Sequence, residues 1–239
     1  MSTMNPPKER GLSSPLNEMD GQECPPSSQF LDPFSPIEQH QHRLPHWQQG
    51  SVFYFVTWRL ADSLPRDKLE RWYEERELWN RLHSQPWDVE TESEYHARFS
   101  TAVDGWLDAG GGSCVLRNPD LAGIVSDVLR HFDRNHYSMD AFVVMPNHVH
   151  VLFRLLAPHH LESVVQSWKG FSAREINRRL GKHGRLWQPD YWDRMIRNEG
   201  HWLKCVEYIQ ENPIKARLPQ NEYVLFVRKV DRGFSNPQE

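Results

Sequence analysis

Hydrophobic and polar positions along the chain follow two periods, and the switches between them mark out the elements. "SVFYFVTWRL", residues 51–60, is a continuous run of β-branched and aromatic residues, which predicts a buried strand. "RDKLERWYEERELWNRL" then brings Leu69, Trp72, Tyr73, Trp79 and Leu82 to roughly helical spacing. "TESEYHARFSTAVDGWLDAGGG" opens with Thr91 and Glu94 in capping-box spacing and closes on glycines, so a second helix is expected there. In "NPDLAGIVSDVLRHFD" Asn118 is placed to cap, Pro119 opens the first turn, and Leu121, Ile124, Val125, Val128, Leu129 and Phe132 line one face. "FVVMPNHVHVLF", residues 142–153, reads as two strands broken by Met-Pro-Asn. A helix or broken helix follows in "LESVVQSWKGFSAREINRRLG", then a glycine-containing loop to a strand in "LWQPDYWDRMIR", then a helix in "EGHWLKCVEYIQENP" that Pro213 is expected to end. Strand, helices, two strands, helix, strand and helix suit an α+β fold with helices packed on a mainly antiparallel sheet.

Composition changes that picture mainly at the N-terminus. Residues 1–45 hold eight of the seventeen prolines, many Ser and Gln and few apolar side chains, so this segment is expected to be a disordered tail. The rest of the 239 residues is enough for one sizeable core. Neither a membrane span nor a secretory signal is seen, and Cys24, Cys114 and Cys205 are scattered without CxxC spacing, so no disulfide framework or zinc ribbon is expected. A cytoplasmic setting follows as the default. The net charge of −4 conceals an uneven distribution: residues 166–217 hold eleven Lys and Arg against six Asp and Glu, +5 in a chain whose remainder is −9.

Three groups of residues carry candidate chemistry. His148 and His150 are two apart on a strand, so both rings point to one face while Val149 and Val151 point to the other. Such a pair suits a metal ion, and equally a pair of hydrogen-bonded core histidines. A nucleotide-binding histidine triad would need a third His at 152, where this chain has Leu152. On the last helix Trp202, Cys205, Val206 and Ile209 form an apolar stripe, and His201, Tyr208 and Asn212 fall in a narrow wedge beside it. That geometry makes Tyr208 a candidate nucleophile or a half-buried packing residue. The third group is the basic series Lys169, Arg174, Arg178, Arg179, Lys182, Arg185, Arg194, Arg197 and Lys215. Trp168, Phe171, Trp187, Tyr191 and Trp192 are interleaved with it as candidate stacking surfaces. Single-stranded or hairpin nucleic acid is the expected partner, with a solvated charged face as the plainer reading.

"VVMPNHVHVL", "SWKGFSAREINRRLG", "LWQPDYWDRMIRNEGHW" and "YIQENPIKARL" occur in the order and spacing of the REP-associated tyrosine transposases, which are single-tyrosine HUH transposases, and residues of about 50 to 218 resemble that family. The resemblance implies a ferredoxin-like antiparallel sheet carrying helices, and a divalent ion, Mg or Mn, beneath the scissile phosphate of single-stranded DNA. It implies His148 and His150 as metal ligands, Tyr208 as the catalytic nucleophile, and Asn212, one turn on, as third ligand, where some relatives have Gln. DNA contacts are expected from Lys169, Arg174, Arg178, Arg179, Trp187, Arg194, Arg197 and Lys215.

The domain so defined covers residues 46–218, with 83–115 read as an insertion beyond the family pattern and 219–239 as a C-terminal extension. The expected activity is metal-dependent cleavage and rejoining of single-stranded DNA through a 5′-phosphotyrosine, acting on hairpin-forming repetitive DNA. No nucleotide cofactor is expected, since no phosphate-cradling glycine loop appears. A nucleoid-associated location is expected, and the oligomeric state, monomer or homodimer, stays open. Two other readings remain: a DNA-hairpin-binding regulatory protein with vestigial catalysis, and a metal-dependent hydrolase in which water attacks and Tyr208 is expendable.

Overall fold

The computed structural model describes residues 29–228, apart from 33, 42–44 and 84–87. In chain order its elements are strands β1 (Glu38–Gln41), β2 (Pro45–Gln48) and β3 (Phe53–Arg59), then helices α1 (Arg66–Leu82), α2 (Val89–Tyr95), α3 (Thr101–Asp108) and α4 (Pro119–His131). Strands β4 (Tyr137–Val144) and β5 (His148–Leu155) follow, then α5 (Leu161–Leu180), β6 (Trp192–Met195), α6 (Glu199–Lys215) and β7 (Val224–Val227).

Strands β6, β3, β5, β4 and β7 form, in that order, one fully antiparallel five-stranded sheet. Without its edge strand β7, the series β3-α4-β4-β5-α5-β6 folds with the last strand beside the first, which is the ferredoxin-like arrangement expected from the sequence. The sheet has two unlike faces. Tyr54, Val56, Trp58, Val149, Val151 and Phe153 point to the side covered by α4 and α5 and form the main core there. Phe53, Phe55, Ala141, Val143 and Leu152 point to the other side, where Cys205 and Ile209 of α6 cover them. In β4 the register shifts between Met139 and Ala141, a bulge at which Asp140 is buried and accepts a hydrogen bond from Trp202 Nε1 of α6 at 2.8 Å.

Helix α4 starts as its sequence requires, with the Asn118 side chain accepting from the Asp120 N–H. Helix α5 is unbroken and stops on Gly181 in the left-handed conformation. Four expectations need correction. Thr91 and Glu94 form no capping box, because α2 begins two residues earlier and Asp88 Oδ1 takes the Thr91 N–H instead. Pro213 does not end α6, which runs on to Lys215. Proline removes a single donor near the helix end, and the last turn is closed by Ala216 N–H to Asn212 O and Leu218 N–H to Pro213 O.

The expectation of a disordered tail over 1–45 does not hold for its described residues, from 29 on. Residues 1–28 lie outside the described residues, but Leu31 N–H donates to Ile196 O, the Phe53 N–H to Gln29 O, and β1 pairs with β2. Part of the expected C-terminal extension joins the sheet as β7, paired with β4. Helices α1 to α3 enclose a small core of their own, with Leu64, Trp72, Trp79, Phe99, Val103 and Leu107.

Candidate active site

Antiparallel pairing of β3 with β5 sets Thr57 opposite His150 and Arg59 opposite His148, on the sheet face that α6 covers. Both histidines are 1% exposed. Asn147 Nδ2 donates to Leu107 O at 3.0 Å and to Gly111 O at 3.2 Å, which orients its amide and leaves Oδ1 as the acceptor facing His148 Nδ1 at 2.7 Å. His148 Nδ1 therefore carries the proton, and Nε2 is left with a lone pair. That Nε2 is buried without a hydrogen-bond partner.

His150 is held alike. Its Nδ1 lies 2.7 Å from Thr57 Oγ1, and its Nε2 faces Asn212 Nδ2 at 3.4 Å. The amide donates in that pair, so Nε2 of His150 is again the lone-pair atom. Burial depresses both histidines: His148 is lowered to about 3, and His150 lies well below the ordinary histidine value. For His150 the neighbouring His148 and Arg194 push in the same direction. Asn212 offsets a little of the effect on His148, although no hydrogen bond of normal geometry joins the two. Both rings are thus neutral at pH 7 and present Nε2, the form in which imidazole binds a metal.

Asn212 is 2% exposed, and its Oδ1 is also buried without a partner. Tyr208, one turn earlier on α6, is half-buried, with its ring edge-on to His150 (centroids 5.2 Å apart) and to Phe55 (5.8 Å). Phe55 in turn stacks on His150 at 5.6 Å. The wedge read from helical periodicity therefore faces the two histidines. His201, the third member of that wedge, instead belongs to the start of α6, where its N–H is capped by Asn198.

Among the described residues no group of three or more His, Cys, Asp or Glu could hold a metal ion. The available donors are two imidazoles and one amide oxygen. Two orphaned buried acceptors, His148 Nε2 and Asn212 Oδ1, fit a cation, while the His150 Nε2 lone pair beside them is met at 3.4 Å by the Asn212 amide. A set with no carboxylate would hold a hard divalent ion weakly on its own.

The predicted basic series does not form one surface. Arg194 lies in β6 opposite Phe55, its guanidinium 4.8 Å over that ring, and Lys215 Nζ lies 6.0 Å from the Tyr208 ring while pairing with Glu211 at 2.7 Å. These two border the histidines. Arg197 is exposed in the turn before α6. Lys169, Arg174, Arg178 and Arg179 are on α5, which packs on the opposite face of the sheet. Arg178 and Arg179 are exposed and share Glu175, whose carboxyl is held down to about 2 chiefly by its hydrogen bond from Arg178. Arg174 is exposed beside Phe171. Lys169 Nζ donates to the carbonyls of Pro189 and Asp190, tying down the loop before β6, and burial lowers it to about 8.

Trp187 requires a correction. It is 4% exposed, packs edge-on against Trp58 and donates to Ser172 Oγ at 3.0 Å, so it is a core residue with no ring face open to a base. Trp168 and Tyr191 are buried too, which leaves Phe171 and Trp192 as the interleaved aromatics with accessible surface. Three residues of the site escaped the sequence reading: Thr57, Asn147 and Arg59. Arg59 is fully buried, with Nη1 donating to Leu60 O and Ser63 Oγ and its guanidinium 5.8 Å from the Trp192 ring. A charged residue inside "VTWRL" was the one visible signal.

Comparison with known proteins agrees with the motifs. Residues 117–212 match the family described as "Transposase IS200 like". A REP-associated tyrosine transposase of Escherichia coli K12 is 29% identical over 101 residues, 41% of this chain and 59% of that protein. An uncharacterized protein of Haemophilus influenzae Rd is 30% identical over 97 residues, 32% of this chain and 54% of that protein. The chain thus matches little more than half the length of these relatives. A solved REP-associated tyrosine transposase bound to a REP hairpin aligns over 71% of this chain and 73% of its own, at 17% identity and a TM-score of 0.37. Over part of its length the chain is thus similar to a REP-associated tyrosine transposase, the family that its four motifs resemble.

Proposed function

We propose that the chain cleaves and rejoins single-stranded DNA at hairpin-forming repeats, with Tyr208 as nucleophile and a divalent ion, Mg or Mn, held by His148, His150 and Asn212. The observation that carries this reading is the convergence on one sheet face of two neutral histidines showing Nε2, an orphaned amide oxygen and a tyrosine ring. A bound divalent ion would supply Lewis acidity and neutralise the non-bridging oxygens of the scissile phosphate. Because the protein ligands are all neutral, the phosphate itself brings the anionic charge, so metal and DNA should bind cooperatively.

The chain's own residues do the rest. Asn147 and Thr57 keep the histidines in the ligating tautomer. Phe55 and α6 hold the Tyr208 ring beside His150. Arg194 and Lys215 add positive charge where the phosphate would lie, which favours both the bound anion and the developing phenolate. The phenol oxygen bonds to phosphorus as the 3′-oxygen leaves, and the phenolic proton ends on that oxygen through solvent. The products are a 5′-phosphotyrosine and a free 3′-hydroxyl. One phosphodiester replaces another, so the step is reversible without nucleotide hydrolysis, and the 3′-hydroxyl can rejoin strands.

Incubation with a labelled single-stranded hairpin substrate and Mn, followed by a denaturing gel, tests the reading. Wild type should give a covalent protein–DNA adduct, and His148→Ala should give neither adduct nor cleavage while still binding the hairpin. Cleavage without an adduct would assign the site to hydrolysis by water, and hairpin binding without cleavage by wild type would favour a regulatory DNA-binding protein.

A further inference from the structure

The helical segment between β3 and α4 takes no part in the chemistry proposed above, yet it makes a direct polar contact with the candidate site. Leu107, at the end of α3, and Gly111, in the turn after it, both direct their carbonyls at Asn147 Nδ2. The turn is held close by glycine. A Cβ on Gly111 would sit 2.7 Å from Ser63 O, and one on Gly112, whose φ is +84°, would sit 2.5 Å from Asp62 O. Ser113 N–H closes the same contact by donating to Asp62 Oδ2 at 2.9 Å. The Pro146–Asn147 backbone is fixed from two sides, by Leu60 N–H to Asn147 O and by Leu116 N–H to Pro146 O. Asn147 is 1% exposed, so water does not compete for its amide. With Nδ2 committed to two carbonyls, only Oδ1 can face His148, and only an Nδ1–H tautomer satisfies it at 2.7 Å.

We propose that Asn147 is a positioning residue that locks His148 in the tautomer exposing Nε2, and that the α1–α3 segment is a brace that holds Asn147 through Leu107 and Gly111. The tautomer lock stands on hydrogen bonding alone. Its consequence for metal binding rests on the reading of His148 as a ligand.

The test uses the full chain, metal-free at neutral pH, with the His148 ring read by two-bond proton–nitrogen NMR correlations and assigned by their absence in His148→Ala. Wild type should show one tautomer, protonated at Nδ1. Asn147→Ala should shift the ring toward the Nε2–H tautomer that free neutral imidazole prefers, and should weaken Mn binding about 10- to 100-fold. Asn147→Asp keeps an acceptor for Nδ1–H but loses both donors to the brace, so it should restore the wild-type tautomer only in part. Gly111→Ala, which touches neither histidine, should mimic Asn147→Ala in part by pushing the carbonyl off the amide. A His148 ring still wholly Nδ1-protonated in folded Asn147→Ala would overturn the lock. An unchanged tautomer in folded Gly111→Ala would overturn the brace. If His148→Ala leaves Mn affinity intact, the ligand reading fails, and the NMR arms still judge the lock.

Discussion

Strand β5 belongs to two regions at once. Its odd-numbered residues Val149, Val151, Phe153 and Leu155 enter the core under α4 and α5, and its even-numbered His148, His150 and Leu152 face α6. On the first side two of the three buried indoles of the core are matched, while Trp58 Nε1 is buried without a partner. Trp168 Nε1 donates to Tyr137 Oη at 2.9 Å, and Trp187 Nε1 to Ser172 Oγ. On the second side His148 Nε2 and Asn212 Oδ1 are buried with no partner. An unsatisfied buried polar group costs about 1–3 kcal/mol, and on the α6 side that cost falls on neighbouring groups of the candidate site. The larger apolar core lies on one face, and the candidate site lies on the other.

The sharpest way to break this contrast is Trp168→Ala. The side chain is 2% exposed and stacks on Trp58 with centroids 5.9 Å apart. Its loss should cost about 3–5 kcal/mol of unfolding free energy in urea, while adduct formation per folded molecule stays unchanged. A folded Trp168→Ala protein with no activity would show that the two faces are not separable.

Acid should act through the other face. His148, lowered to about 3 when folded, binds its proton more readily in the unfolded chain, so its contribution to stability is complete above the ordinary histidine value of about 6.5 and is lost as pH falls below it. The slope from this one residue approaches about 1.4 kcal/mol per pH unit between about 6 and 4. Urea titrations across that range should show a shallower decline in His148→Ala than in wild type. Equal slopes would mean that His148 is not buried as a neutral ring.

The smallest expected effect concerns the exposed end of α5. If Arg178 and Arg179 contact DNA phosphates, replacing both with Ala should weaken matched and scrambled hairpins alike. It should also flatten the dependence of log affinity on log salt by about 0.7 to 0.9 for each phosphate no longer neutralised. An unchanged slope would leave these arginines as an ion-paired surface around Glu175, and would move the DNA path to the face bearing Arg194 and Lys215.

Local patterning made much of this architecture legible. Asn118 and Pro119 announce α4, alternation around His148 and His150 announces a strand with one polar face, and helical periodicity places Tyr208 and Asn212 on a common flank. What stayed hidden depends on pairings distant in sequence. Thr57 meets His150 across 93 residues, and Asn147 meets Leu107 across 40, so no local spacing reveals either. Trp187 reads like a stacking surface because arginines flank it in sequence. Its bridge to Leu60 and its hydrogen bond to Ser172 turn it inward instead. The basic residues are continuous along the chain but divided by the sheet, because α5 and α6 cover opposite faces.

The assignment of chemistry to the α6 face is tested most directly by identifying the residue that carries the DNA. The wild-type adduct, digested with nuclease and protease and mapped by mass spectrometry, should show a nucleotide joined through its 5′-phosphate to the peptide containing Tyr208. Tyr208→Phe, folded and still able to bind the hairpin, should yield no adduct. A nucleotide on any other residue, or full cleavage by Tyr208→Phe, would contradict it.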